Sequence, residues 1–274
     1  MRNRRITLLV LLVITCLALL DGRLGLIPHD RGTGITFTGW DNVVPHATVE
    51  REVILPADGL EQLLIEAQAA RVIITGAETD SVAISAAVYV SASAAEEVER
   101  YLENFDIDAS IEGNTAVLRA ELPQELPRID TIQVVYQVVV PQDLFVSAFV
   151  QQGLLEMSDL SGGLNLDVKY SGASGNSLAG GITVDVDYGS VELQRVAGQV
   201  ELQTSYSAVE LGLLDVSAGY TFNLEAAYGT LGGNIKLDRQ ENNALTTARG
   251  VVNDGEYPVT VSSRFSTVEI NIEK

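Results

Sequence analysis

The chain has 274 residues, with 17 Lys or Arg against 37 Asp or Glu, a formal net charge of −20. Such a surface repels nucleic acid and anionic lipid and attracts cations and cationic peptides. The single cysteine, Cys16, excludes an internal disulfide, and with only His29 and His46 beside it there are too few ligands for a Cys/His zinc cluster.

Arg2, Arg4 and Arg5 precede an apolar run from Ile6 to Leu20, closed by Asp21. A basic flank followed by an apolar stretch is the pattern of a secretory signal or signal-anchor, and it leaves the rest of the chain outside the cytoplasm. An uncleaved membrane anchor over residues 1–27 fits the run best, because no A-x-A-like site follows it. Leu24, Leu26 and Ile27 extend it toward the roughly 20 residues that a span needs. A cleaved, secreted form and a lipoprotein modified at Cys16 are the alternatives. Residues 28–52 read as a spacer, since Pro28, Gly32-Thr33-Gly34 and Pro45 break any periodicity.

Residues 53–143 read as a first solenoid part. Leu63, Ile65 and Ala67 form one inward face, and Val72 and Ile74 follow a corner. Val82 to Val90 is a further strand. Ser93-Ala94-Ala95-Glu96 has capping-box spacing, and Ala94 to Asn104 is expected to be an inserted helix with Val98, Tyr101, Leu102 and Phe105 on its apolar face. Strands are expected near 106–111, 115–122 and 131–140.

From residue 144 to 274 the chain repeats. Tyr170, Tyr188 and Tyr206 are 18 residues apart, and Tyr-Gly-Ser-Val-Glu-Leu at 188–193 matches Tyr-Ser-Ala-Val-Glu-Leu at 206–211. Gln152-Gly153-Leu154-Leu155-Glu156 holds the same place upstream. Tyr228-Gly229-Thr230-Leu231 and, after an insertion at 238–257, Phe265-Ser266-Thr267-Val268-Glu269-Ile270 hold it downstream. A period of this length with several positions recurring together is the signature of stacked repeats. Alternation puts Val184, Val186 and Tyr188 on an inner face and Asp185 and Asp187 outside. Val191 and Leu193 are the next inward set. The step of three from Tyr188 to Val191 places a corner at Gly189-Ser190, with a second corner near Gly180-Gly181 and Ala197-Gly198. Each turn then has two short strands, and stacked turns make parallel sheets around a narrow aliphatic core. The predicted fold is all-β: a single-stranded parallel β-solenoid, β-helix or roll-like, with coils of about 18 residues, one inserted helix and an N-terminal hydrophobic anchor.

Tyr170, Tyr188, Tyr206, Tyr228 and Phe265 form a ladder at one corner, either structural packing or an aromatic ligand stripe. Asp185, Asp187, Glu192, Glu201 and Glu210 are outward acids, either a solvated surface or a binding face. Gly162-Gly163-Leu164-Asn165-Leu166-Asp167 and Gly180-Gly181-Ile182-Thr183-Val184-Asp185 partly match a calcium-binding roll, which makes Asp167 and Asp185 weak calcium candidates. The pattern lapses in the next coil. No catalytic residue, cofactor site or other metal site stands out, because nothing resembles a nucleophile elbow, a P-loop or a zincin helix.

Val139-Val140-Pro141-Gln142-Asp143-Leu144, Gly153-Leu154-Leu155-Glu156 and Asp159-Leu160-Ser161-Gly162 resemble the toast-rack family of bacterial surface β-solenoids, which carries the name "putative adhesin". Leu64 to Ile84 resembles its opening coil, and the likeness runs from Val53 to Ile272. Family members often have Asn-Gly-Asp or Gly-Asp at the corners, where this chain has Tyr-Gly-Ser and Tyr-Ser-Ala. The resemblance implies an exported, envelope-associated protein linked to adhesion or envelope-stress sensing, with no catalytic motif. The expectation is therefore a non-catalytic, membrane-tethered extracytoplasmic solenoid that binds an envelope protein, a polymer or a cationic peptide, and no nucleic acid. The alternatives are a polysaccharide-active β-helix enzyme and a calcium-stabilised β-roll.

Overall fold

A computed structural model describes residues 47–92, 102–103, 105–121 and 129–273. The anchor, most of the spacer and most of the expected helix lie outside these. The chain divides into Met1–Val43 and Val44–Lys274, and only the second unit is described.

It contains 21 strands. The first part holds β1 (Ala47–Pro56), β2 (Gln62–Gln68), β3 (Arg71–Ala77), β4 (Ser81–Ala92), β5 (Asp108–Glu112), β6 (Thr115–Glu121) and β7 (Ile129–Pro141). The regular repeat follows with β8 (Phe145–Gln151), β9 (Leu154–Leu160), β10 (Leu164–Lys169), β11 (Gly172–Ala179), β12 (Ile182–Asp187), β13 (Ser190–Ala197), β14 (Val200–Ser205) and β15 (Ala208–Leu214). The last stretch gives β16 (Tyr220–Ala227), β17 (Thr230–Gly233), β18 (Asp238–Glu241), β19 (Leu245–Val252), β20 (Tyr257–Arg264) and β21 (Thr267–Glu273).

Two sheets enclose the core. One runs β1-β4-β7-β3-β9-β11-β13-β15-β21-β17, the other β18-β19-β16-β20-β14-β12-β10-β8-β2-β6-β5. Each coil contributes one strand to each sheet, so both orders give the same stack: β6/β7, β2/β3, β8/β9, β10/β11, β12/β13, β14/β15, β20/β21 and β16/β17. Neighbouring levels pair in parallel, as the repeat predicts.

The structure departs from a purely parallel solenoid at its ends. β1, β4 and β7 run antiparallel, as do β5 with β6, β19 with β16, and β18 with β19. The insertion at 238–257 thus becomes β18 and β19, which cover the end of one sheet. At the end of the other, Arg239 Nη1 donates to the Leu231 carbonyl of β17 at 2.9 Å. Both devices blunt edges that would otherwise offer unpaired backbone groups. No inserted helix is described beyond Leu102 and Glu103. Two residues of its expected apolar face, Leu102 and Phe105, are buried, and Arg51 donates to both of their carbonyls.

The core is the aliphatic column that the alternation predicts. Leu63, Ile65, Val72, Ile74, Val184, Val186, Val191 and Leu193 are all buried. Each such Val or Leu side chain contributes about 1.5–3 kcal/mol. Tyr188 breaks the predicted parity. It is about half exposed, with φ of 53°, in the left-handed region. The same conformation recurs at the same corner in Ala69, Gln152, Tyr170, Tyr206, Tyr228 and Phe265, with φ between 51° and 55°. A left-handed residue reverses the chain direction without completing the pleat, so its side chain is thrown outward instead of into the core.

The residue after that corner alternates through four successive coils: Gly153, Ser171, Gly189, Ser207. The serines are buried and each bonds back to its neighbour. Gly153 N–H donates to Ser171 Oγ at 3.1 Å, and Gly189 N–H to Ser207 Oγ at 3.2 Å. Ser171 and Ser207 in turn donate to the carbonyls of Lys169 and Ser205. At Gly189 a Cβ would sit 2.6 Å from the Ser171 carbonyl oxygen, so no larger residue fits.

Candidate functional site

The outward residues form in-register rows running along the stack. Parallel pairing puts residues of equivalent position side by side, about 4.7–4.9 Å apart. On the sheet that contains β9, the first row reads Arg71, Leu154, Gly172, Ser190, Ala208, Thr267. The second row reads Ile73, Glu156, Ser174, Glu192, Glu210, Glu269 in the same order.

Between the two rows lies a shallow groove of ≈ 330 Å³, with Gly172, Ser190 and Ala208 in its floor and Glu156, Glu192 and Glu210 along it. At its upstream end Arg71 reaches across the rows to Glu156, with Nη2 and Oε1 2.8 Å apart. Among the described residues, Glu192, Glu210 and Glu269 have no ion pair. The Gln194 amide donates to Glu192 and the Asn271 amide to Glu269. Partial burial, then the charges of Glu192, Glu269 and Glu273, push the Glu210 carboxyl above its ordinary range.

The opposite sheet carries the other acids. Asp167 and Asp185 are register partners on β10 and β12, and Asp187 and Glu201 lie on β12 and β14. The five predicted acids therefore do not share one face. Glu192 and Glu210 belong to one sheet, and Asp185, Asp187 and Glu201 to the other, because the corners at Tyr188, Gly198 and Tyr206 separate the strands that carry them. Asp167 already has a cation: Lys169 Nζ is 3.2 Å from its Oδ2 and 5.2 Å from the centre of the Phe149 ring. Burial, then Asp167, raises the Asp185 pKa, with Lys169 opposing and Asp187 reinforcing.

For calcium, a roll needs corner carbonyls aimed at the ion. Here the Gly163 carbonyl accepts from Val146 N–H at 3.1 Å and the Gly181 carbonyl from Leu164 N–H at 2.9 Å. Both are used in holding coil to coil. Among the described residues no three His, Cys, Asp or Glu side chains converge as a metal site.

The aromatic ladder is present and longer than three rungs. Tyr170 stacks on Tyr188 at 5.2 Å, Tyr188 on Tyr206 at 4.9 Å, Tyr206 on Phe265 at 4.9 Å, and Phe265 on Tyr228 at 5.1 Å, with interplanar angles of 12° or less. Every ring is 40–62% exposed. Face-to-face stacking at this spacing covers both faces of each inner ring. The inner rungs Tyr188 and Tyr206 present edges and hydroxyls to solvent, and at the Phe265 rung the Arg264 guanidinium carbon lies 5.4 Å from the ring centre. The stack runs along the corner from coil to coil, and Tyr170 and Tyr228 end it with one stacked neighbour each.

Sequence reasoning missed Glu156 and Glu269 as members of the second row and Arg71 as the cation that reaches it from the first. Glu269 carried a signal, since it holds the repeat position of Glu192 and Glu210 in Val-Glu-Ile. Arg71 carried none, because its pairing depends on β3 lying directly beside β9.

Among the described residues no helix is long and apolar enough to cross a membrane, and the Ile6–Leu20 run lies outside them. No protein-family model and no curated sequence matches the chain. Solved structures similar to it include a "putative cell adhesion protein" from Clostridium sporogenes ATCC 15579, at 12% identity and a TM-score of 0.42, covering 83% of this chain and 100% of that one. A "putative adhesin" from Bacteroides fragilis NCTC 9343 is 10% identical with a TM-score of 0.41, over 83% and 98%. A "putative lipid binding protein" from Parabacteroides distasonis ATCC 8503 is 10% identical with a TM-score of 0.30, over 84% and 98%.

Proposed function

We propose that this chain is a non-catalytic binding or scaffold protein that works outside the cytoplasm, held to a membrane by its N-terminal segment. The observation that carries the binding role is the outer face of the β9 sheet. It is a fixed lattice of rows in which Glu192, Glu210 and Glu269 stand side by side without an ion-pair partner among the described residues. Three like charges in adjacent register positions repel one another. A fold that keeps them in place at that cost presents them to something else. Hydrogen bonds along the stack and a closely packed aliphatic core hold the lattice rigid, so little entropy is lost when a partner settles on it. Catalysis would need acid, base and positioning groups converging on one point, whereas these rows spread equivalent groups along a line.

The tether is supported by the basic flank and apolar run of residues 2–20. Fractionation of cells expressing the full chain, with protease added to intact spheroplasts, tests the placement. The expected result is a membrane-bound protein whose body is digested from outside. A soluble protein protected in the cytoplasm would overturn the export and the tether together.

A further inference from the structure

We infer that the groove over Gly172, Ser190 and Ala208 is a docking site for an extended, arginine-bearing peptide segment, whose guanidinium groups pair with Glu192, Glu210 and Glu269. This rests on the binding role proposed above and names its partner.

The fold contains its own precedent. Arg71 and Leu154 are register partners in the first row, and Glu156 lies in the second row of the coil that carries Leu154. Arg71 therefore reaches one level along the stack to pair with the next coil's glutamate, through both Nε and Nη2 at 2.8 Å. Three coils later the same relation holds between Ser190 and Glu210, and in the coil after that between Ala208 and Glu269. The glutamates are repeated but the arginine is not. Where it would stand, the first row has Gly172, Ser190 and Ala208, and the groove lies over that floor.

Charge complementarity selects the occupant. The chain carries −20 overall, and the unpaired glutamates form one line. Arginine suits this line better than a compact ammonium, because its planar fork holds carboxylates with several donors and is only weakly hydrated. The groove runs along the stack from Leu154 to Ala208, and its floor of small residues leaves room for a main chain. A peptide in extended form advances about 3.3 Å per residue, so three or four residues run from Gly172 to Ala208, and the long side chains take up the mismatch with the row spacing.

The test uses the full-length chain in a neutral detergent and a fluorescently labelled octa-arginine peptide, read by anisotropy. The triple variant Glu192→Gln, Glu210→Gln, Glu269→Gln is compared with Asp185→Asn, Asp187→Asn, Glu201→Gln, which removes the same number of charges from the opposite sheet. The expected result is a loss of at least about tenfold in affinity for the first and less than about threefold for the second. Equal losses mean attraction by net charge alone, and the site is overturned. Ser190→Arg supplies the missing cation from within, as Arg71 does. It should weaken the peptide without disturbing the acids, and unchanged binding by a folded Ser190→Arg chain would also overturn the site. Spermine that competes as strongly as the peptide, compared at equal charge, would make the ligand a free polyamine and overturn the peptide assignment. Protease access on spheroplasts is independent of all these outcomes, so loss of the groove leaves the extracytoplasmic placement standing, and the reverse.

Discussion

Phe265 lies flat on Tyr206, ring centres 4.9 Å apart and planes 12° apart, although a whole coil and an antiparallel hairpin separate them in the chain. Its other face meets Tyr228 at 5.1 Å. The last coil in sequence is therefore the last but one in space. β20 pairs with both β14 and β16, and β21 with both β15 and β17. The chain passes beyond the slot, builds the outer coil and its cap, and then returns to fill the gap.

This wedge makes the C-terminal segment a condition for the end of the stack. Removing residues 257–274 deletes Val259, Val261, Val268 and Ile270 from the core. At about 1.5–3 kcal/mol each, the loss rivals the roughly 5–15 kcal/mol that holds an ordinary domain together. Hydrogen exchange should show β16, β17 and β19 unprotected in the truncated chain, while β8 to β13 keep part of their protection. A truncated chain that retains full protection in β16 would mean that the outer coil docks on β14 and β15 unaided.

The ladder residues carry a conformational cost that stacking offsets. A left-handed backbone costs a non-glycine residue about 1–2 kcal/mol, and an aromatic pair returns about 0.5–1.5 kcal/mol. Tyr188 has two stacking partners. Tyr188→Ala keeps the strain and loses both pairs, so urea unfolding should report a loss of about 1–3 kcal/mol. Tyr188→Gly loses the same pairs but relieves the strain, and should be the milder of the two by about 1 kcal/mol. Glycine measuring worse than alanine would refute the balance between strain and stacking.

The buried serines make a separate claim. Ser207→Ala leaves the Gly189 N–H without its acceptor in the core, a cost of about 1–3 kcal/mol. Gly189→Ala forces a Cβ to within 2.6 Å of the Ser171 carbonyl oxygen and should be at least as damaging. Both are read from thermal melting of the purified chain. A neutral Ser207→Ala would mean that water reaches the corner.

These serines also mark the limit of what the sequence discloses. The strands and inward residues of β8 to β15 were legible, because a period of 18 repeats the same decision at Leu166, Val184 and Leu202. Counting by twos puts Tyr188 inward because it assumes an unbroken pleat, and a left-handed residue breaks the pleat locally with no compositional sign. Tyrosine is not a residue that advertises that conformation, as glycine or asparagine would. The coil order could not be read at all. Phe265 and Tyr228 occupy the same repeat position, and a repeat specifies what pairs well without saying which copy pairs with which. The acids at 185 to 210 alternate with buried neighbours, and they divide between two sheets because a corner falls between each strand and the next.

The row of glutamates predicts a pH dependence opposite to that of a salt-bridged carboxylate. In the folded chain Glu210 titrates above its ordinary value of 4.5, through partial burial and then the neighbouring charges of Glu192, Glu269 and Glu273. Asp185 is likewise raised above 3.8, by burial and then by Asp167. A raised folded pKa means that the native state holds more protons than the unfolded one between the two values, so stability falls as pH rises through that window. The contribution is fully present below the ordinary value and is lost above the folded one. Glu210→Gln should therefore raise the melting temperature at pH 7, and its advantage should shrink through acid pH and vanish below about 4.5. Since the row is exposed, the effect is modest and screened, and about 1 M salt should reduce it at pH 7 as well. Melting curves of the full chain and the variant, at both salt levels from neutral to below pH 4.5, check this. An advantage that persists unchanged at low pH would mean that charge repulsion along the row is not its source. A cation seated in the groove acts on the same repulsion, so bound octa-arginine should stabilise the chain at pH 7 and lose that effect as the row is protonated.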